Sequence, residues 1–229
     1  KGPLKNLPIY GDCGAFSYVD QEVPPYTPEE MIQFYEHGVF THACSVDHII
    51  FEFDRNARGM EGGSPAARER FDITLENAAA FLNVARRQKS PFTPMGVVQG
   101  WSPGSKAEAA KKLVAMGYDY IAIGGMVPLN APAIHACLQA ISEAIPQSVR
   151  VHLLGFAKAE QIHEFAKYNV TSFDTTSPLI RSFKDERSNY YEAKADGEID
   201  YYTAIRVPQA LENARLLRSV KMGRVRQET

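Results

Sequence analysis

The sequence predicts an α/β protein built on a (β/α)8 TIM barrel, with about six βα units present in the chain. Three observations lead there. Six short apolar or β-branched runs recur over residues 1–180, most of them ending in Gly or a polar residue. Helical patterns separate them. The alternation repeats every roughly 25–50 residues, which marks βα units on a parallel sheet.

The elements follow in order. Leu7–Tyr10 runs into Gly11-Asp12 as the first strand. Thr27-Pro28-Glu29-Glu30 opens a helix: Thr caps free amides, Pro suits the first turn, and the acids favour the positive end of the dipole. Gly38 stops it after His37. Thr41–Val46 before Asp47 is the second strand. Arg55–Pro65, with Gly59, Gly62 and Gly63, reads as a flexible loop. Residues 66–88 are Ala-rich, with Phe71, Leu75, Ala78 and Leu82 at helical spacing.

Pro94–Val98 before Gln99-Gly100 is the third strand. Ser105–Met116 has a Ser cap, an Ala/Lys/Glu body and a Gly117 stop. Tyr120–Ile123 precedes Gly124-Gly125, Arg150–Leu154 precedes Gly155, and Val170–Phe173 precedes Asp174. Ala131–Ala144 and Ala159–Tyr168 supply the remaining helical patterns. The strands are nearly continuous in apolar character, as in sheets covered on both faces.

Residues 1–180 therefore form the barrel core. Residues 181–229 follow as a polar excursion, with no clear period over 181–203, and a basic C-terminal helix. A complete barrel needs eight units and typically ~250 residues, so two strands are expected upstream of Lys1.

Composition narrows the function classes. The chain is 45% hydrophobic and 23% charged, which excludes disorder, collagen and coiled coil. No apolar run approaches the ~18 residues of a membrane span, and no secretory signal pattern opens the chain. The three cysteines, Cys13, Cys44 and Cys137, suit neither a disulfide framework nor a CxxC zinc site. A reducing, cytoplasmic setting is the expectation. Neither the Gly-x-Gly-x-x-Gly of dinucleotide folds nor a Gly-Lys-Ser/Thr phosphate loop occurs.

The net charge of −2 hides an asymmetry: residues 201–229 hold six basic side chains against two acidic ones. Arg215, Arg218 and Lys221, with Arg181, Lys184 and Arg187, are candidates for holding a phosphate backbone. The alternative for Arg215–Arg226 is a solvated helix face whose basic end the dipole favours.

Barrel active sites lie at the C-terminal ends of the strands. Reading those ends gives Asp12, Asp47, Gln99, Gly124-Gly125, Gly155 and Asp174. Carboxylates serve as nucleophile and as general acid or base. Gln and Asp can read the edge of a planar heterocycle, and glycines let a flat ligand approach the backbone. Any one Asp after a strand could be a helix N-cap; the signal is the joint placement on successive strand ends. His42 and Cys44 alternate on one strand and His48 follows, but one strand face seldom completes a ligand set, so no metal site is expected there. Trp101 either lines a channel or packs.

These residues carry a family resemblance. Asp12-Cys13-Gly14-Ala15-Phe16 resembles the Asp-Ser-Gly-Gly-Phe/Tyr of tRNA-guanine transglycosylases, the queuine tRNA-ribosyltransferase superfamily. Gly96-Val97-Val98-Gln99-Gly100 resembles their Gly-Ile-Val-Gln-Gly, and Ile121–Met126 their Ala-Ile-Gly-Gly-Leu. His152-Leu153-Leu154-Gly155 resembles their Tyr-Leu-Met-Gly, and Ser172-Phe173-Asp174 the Met-Phe-Asp that carries their nucleophile. The motifs occur in family order, one per strand.

Two segments depart from the tRNA enzymes. Asp174–Arg181 lacks their Pro-Thr-Arg-type stretch, and Thr41–Asp47 lacks their Phe-Asp-Glu-Cys. Both, with Tyr201–Pro208, resemble the DpdA-like DNA-guanine transglycosylases, which place a 7-deazaguanine in DNA.

The resemblance implies roles. Asp174 would attack the sugar C1′ and expel guanine, leaving a covalent glycosyl-aspartate. Asp12 would act as general acid/base. Asp47 would bind the Watson–Crick edge, with Gln99 and the Gly124-Gly125 backbone reading the opposite side. Phe16 would stack on the base, and Met126, Leu154 and Gly155 would line the pocket. The target base would have to be flipped out. The resemblance also implies DNA and a preQ0-type base as substrates, and partner proteins of a DNA-modification system. It implies no cofactor within the chain; the Cys/His zinc cluster of tRNA relatives would either be absent or lie beyond Thr229. The alternatives are tRNA as the substrate, and a non-catalytic nucleic-acid-binding barrel.

Overall fold

A computed structural model describes residues 7–156, 159–177 and 190–202. The chain divides into two compact units, Lys1–Thr175 and Thr176–Thr229. In the first, six strands run parallel: β1 (Tyr10–Gly11), β2 (His42–Cys44), β3 (Thr93–Val98), β4 (Tyr120–Ile123), β5 (Arg150–Leu153) and β6 (Val170–Phe173). Their order across the sheet is their order in the chain. Helices α1 (Pro28–His37), α2 (Pro65–Gln88), α3 (Pro103–Met116) and α4 (Ala131–Ala144) return the chain between strands. Sequential parallel strands with helical returns are an arc of a (β/α) barrel.

The strands sort side chains by period two. Cys44, Met95, Val97, Tyr120 and Ala122 form an inner cluster, joined by Leu154. Val98, Ile121, Ile123, Val151 and Leu153 face the other way and pack under α2, α3 and α4. Burial on both faces explains why the strands read as unbroken apolar runs.

Strand and helix placements follow the sequence closely, with instructive differences. β1 is shorter and later than Leu7–Tyr10, and β2 is shorter than Thr41–Val46. Main-chain bonds persist there, Thr41 N–H to Ile9 O at 2.9 Å, and the Thr41 hydroxyl adds a bond by accepting the Ile9 N–H at 2.7 Å. Helix α3 starts before Ser105. Pro103 takes the first helical position, Ser102 is the cap, and Ser105 is the reciprocal partner in a capping box. Residues Ala159–Tyr168 wind as a 3-10 helix.

Trp101 resolves to packing. It is fully buried, meets Phe71 edge-on, and donates its indole N–H to the Glu61 carbonyl at 2.8 Å. Gly63 lies against its ring with φ +75°, so a side chain there would collide with the indole and strain the backbone.

In the second unit, the excursion read without a clear period over 181–203 contains a hairpin, β7 (Tyr190–Ala193) and β8 (Ile199–Tyr202), paired antiparallel. Asp196-Gly197 forms its turn, with Gly197 at φ +86°. An Asp-Gly pair between Tyr-rich runs is a hairpin signal that a search for alternating polarity overlooks. The proposed basic helix and the cations Arg181, Lys184, Arg187, Arg215, Arg218 and Lys221 lie outside the described residues.

The Ser102 cap is buried and satisfies the Ser105 amide at 3.0 Å. Ser102→Ala should therefore destabilise the fold by about 1–2 kcal/mol. Urea denaturation measures this; a change within about 0.3 kcal/mol would contradict it.

Candidate active site

The strand ends are drawn together by the ladder itself. Gly124 N–H reaches Val98 O at 3.0 Å, Leu154 N–H reaches Ile123 O at 3.1 Å, and Asp174 N–H reaches Leu153 O at 3.2 Å. Each bond ties the first residue past one strand to the last residue of its neighbour. Asp12 leaves β1 at the same end.

Asp47 is the most deeply held of the three carboxylates. It is 1% exposed; Oδ2 accepts from Gln99 Nε2 at 2.7 Å and Oδ1 from the Cys13 thiol at 2.9 Å. Burial pushes its pKa up to about 6, and the Asp12 charge adds to the rise, against the two hydrogen bonds. Gln99 and Asp47 are thus each other's partners and do not face across a gap. Gly124 makes room for that amide: a Cβ there would overlap Gln99 Nε2.

Asp12, Cys13 and Asp47 form one cluster, with a ligand-type atom of each within 4.8 Å of the others. Asp12 is open to solvent at its rim, yet enclosure is the largest influence on its carboxyl and raises its pKa, with the Asp174 charge adding to the rise. Asp174 goes the other way. Burial pushes its pKa up, but His152 and the Gly155 amide outweigh that and hold it below the usual value. Gly155 N–H donates to Asp174 Oδ1 at 2.9 Å, and His152 Nε2 lies 3.3 Å from the same oxygen. One carboxyl biased toward holding a proton therefore sits close to one biased toward the anion.

Other predicted residues divide between the site and the core. Leu154 packs on the inner cluster beneath it. Phe16 projects from a 3-10 turn after β1, 64% exposed, with its ring 5.9 Å from Phe51. Gly125 adopts φ +68° beside Gln99. Met126 is not brought to the site: it is 1% exposed, in the outer layer against α4.

Several residues escaped the sequence reading. Lys106 on α3 is wholly buried and donates to the Gly124 carbonyl at 2.8 Å. Burial lowers its pKa. Its spacing from Ala109, Ala110 and Leu113 on the buried face of α3 was the available signal. Cys13 and Tyr18 also hold Asp47, the Tyr18 hydroxyl by donating to the Asp47 main-chain carbonyl at 2.9 Å.

Among the described residues no set of Cys and His side chains of the kind that holds structural zinc comes together. Cys13, Cys44 and Cys137 are buried and free. Among the described residues the one grouping of metal-type ligands is Asp12, Cys13 and Asp47, where burial raises the thiol pKa far above normal. A cysteine ligates zinc as its thiolate.

The family model for queuine tRNA-ribosyltransferase matches residues 17–185. The chain belongs to the queuine tRNA-ribosyltransferase family. It is 43% identical over 224 residues to a DNA-guanine transglycosylase of Salmonella montevideo, covering 97% of this chain and 52% of that protein. It is 30% identical over 114 residues to a queuine tRNA-ribosyltransferase of Shewanella sp. (strain W3-18-1), covering 49% of this chain and 30% of the relative. The chain thus spans about half the length of the first relative and under a third of the second. Among the described residues no helix is long and apolar enough to cross a membrane.

Asp47 links the site to folding. Its pKa rises on folding from 3.8 to about 6, so the fold favours the protonated form. Its contribution is greatest below pH ~4 and is lost as pH climbs through about 6, by on the order of 3 kcal/mol. Asp47→Asn escapes that loss. Between pH 4 and 7 the stability difference should move in the variant's favour by that amount in urea titrations; a pH-independent difference would refute the assignment.

Proposed function

We propose that the protein exchanges guanine in DNA for a preQ0-type 7-deazaguanine through a covalent glycosyl-aspartate. The observation that carries this reading is the pairing of Asp12 and Asp174. Their charges interact, yet their surroundings drive their pKa values apart, up for Asp12 and down for Asp174. Two carboxyls separated in this way suit an acid and a nucleophile. The DNA substrate is taken from the Salmonella relative, whose likeness extends over nearly the whole chain.

In this mechanism Asp174 attacks C1′ of the flipped-out nucleotide and the C1′–N9 bond breaks. Asp12 supplies a proton to the departing guanine. The incoming base then gives its N9 proton to Asp12, its nitrogen attacks C1′, and the C1′–O bond to Asp174 breaks. The sugar configuration is retained after two inversions. Asp47 and Gln99 receive the base edge. A guanine N1–H or amino group would take over at Asp47 the bond Gln99 now supplies, freeing the Gln99 amide for the base. The Gly124-Gly125 backbone, oriented from behind by Lys106, meets its other side. Phe16 covers the face of the base, and Arg181, Lys184, Arg215, Arg218 and Lys221 hold the phosphates.

The test is transfer of labelled 7-cyano-7-deazaguanine by the full-length protein, with any partner proteins its system requires. Duplex DNA should take up label and tRNA should not. Asp174→Asn should abolish transfer, and Asp12→Asn should slow it by about 10²–10⁴-fold. Undiminished transfer by Asp174→Asn would overturn the mechanism; label in tRNA alone would reassign the substrate; binding of DNA without transfer or adduct would favour a non-catalytic barrel.

A further inference from the structure

Behind Asp174 lies a line of hydrogen bonds that the mechanism above does not use. His152 occupies the inner face of β5 and is 3% exposed. Its Nε2 is 3.3 Å from Asp174 Oδ1, and its Nδ1 is 2.6 Å from Ser172 Oγ. Ser172 Oγ is in turn 2.6 Å from the Tyr120 hydroxyl, which receives a hydrogen bond from Thr171 Oγ1 at 3.2 Å. The imidazole is also clamped flat, stacked on Tyr10 at 5.3 Å, and Tyr10 stacks on His42 at 4.2 Å.

The partners fix the direction of the line. An ionised carboxylate only accepts, so His152 Nε2 must donate to it. With one proton on the ring, Nδ1 then accepts from the Ser172 hydroxyl, which accepts from Tyr120. Every proton points toward Asp174, and the bonds reinforce one another. Gly155 N–H donates to the same Oδ1. Imidazole and amide thus converge on one oxygen, Oδ1.

We propose that His152 is a positioning residue for the nucleophile, pinning Oδ1 of Asp174 so that Oδ2 is the oxygen that bonds to C1′. The proposal rests on the reading of Asp174 as nucleophile. In the first step a lone pair of Oδ2 forms the bond to C1′, and the C1′–N9 pair leaves with guanine, which takes the Asp12 proton. Oδ1 becomes the ester carbonyl and keeps both donors. In the second step N9 of the incoming base forms its bond to C1′ and gives its proton to Asp12. The C1′–Oδ2 pair returns to the carboxylate. Charge reappears on Asp174 in that step, so the donors at Oδ1 act there as they would at an oxyanion. Loss of His152 should therefore hurt release from the ester more than its formation.

The experiment measures base exchange and the steady-state fraction of covalent adduct at Asp174, by denaturing gel and mass spectrometry, in the full-length protein. His152→Phe keeps a flat ring and removes the donor. It should slow exchange by on the order of 10²-fold while the adduct accumulates. His152→Gln, whose amide can reach Oδ1, should restore exchange to within about 10-fold, whereas the shorter His152→Asn should not. The Gln and Asn pair decides the matter if the Phe variant fails to fold. An unchanged adduct fraction in His152→Phe, or equal losses in the Gln and Asn variants, overturns the proposal while leaving the nucleophile in place. Absence of any adduct in the wild-type protein removes the nucleophile reading and this proposal with it.

Discussion

A backbone amide just past the end of one strand bonds to the last carbonyl of the strand before it. Gly124 does this to Val98, Leu154 to Ile123, and Asp174 to Leu153, at 3.0–3.2 Å. Parallel strands leave these groups in need of partners, and the ladder supplies them in sequence. The site inherits its geometry from that requirement. The peptides that close the ladder belong to the residues, or the neighbours of the residues, that carry the candidate chemistry. A shift of register would turn the alternating inner positions outward.

Enclosure then differentiates three identical functional groups. Asp47 sits at the bottom of the cluster with both oxygens engaged and burial outweighing its bonds. Asp12 lies between solvent and protein, and enclosure together with the Asp174 charge raises its pKa. Asp174 meets a main-chain amide and an imidazole that favour its anion. Their different proton affinities come from what each strand end faces.

The sequence was informative where a constraint is local. Thr27, Pro28 and Glu30 announce α1 because capping is settled within four residues. The strand ends could be read because Gly or a polar residue interrupts each apolar run. Ser105 misled because Ser102-Pro103 offers a second, better-placed start three residues earlier. Asp47 and Gln99 were found, but their mutual bond was not, since it spans 52 positions. Lys106 and His152 were missed as contributors for the same reason. A buried lysine or histidine looks like any other until the chain shows which carbonyl or carboxylate it meets. Met126 follows glycines that do approach the site, yet its side chain turns into the layer behind.

The sole tryptophan of the chain carries a practical consequence. Trp101 comes two residues after Gln99, and its indole is held by the Glu61 carbonyl and pressed against Gly63 in the loop before α2. Arg68 sits 5.2 Å from its ring centre. Its emission therefore has a single origin within this chain, an indole packed between that loop and the core. The chain carries its own optical gauge two residues from Gln99, readable without an added label.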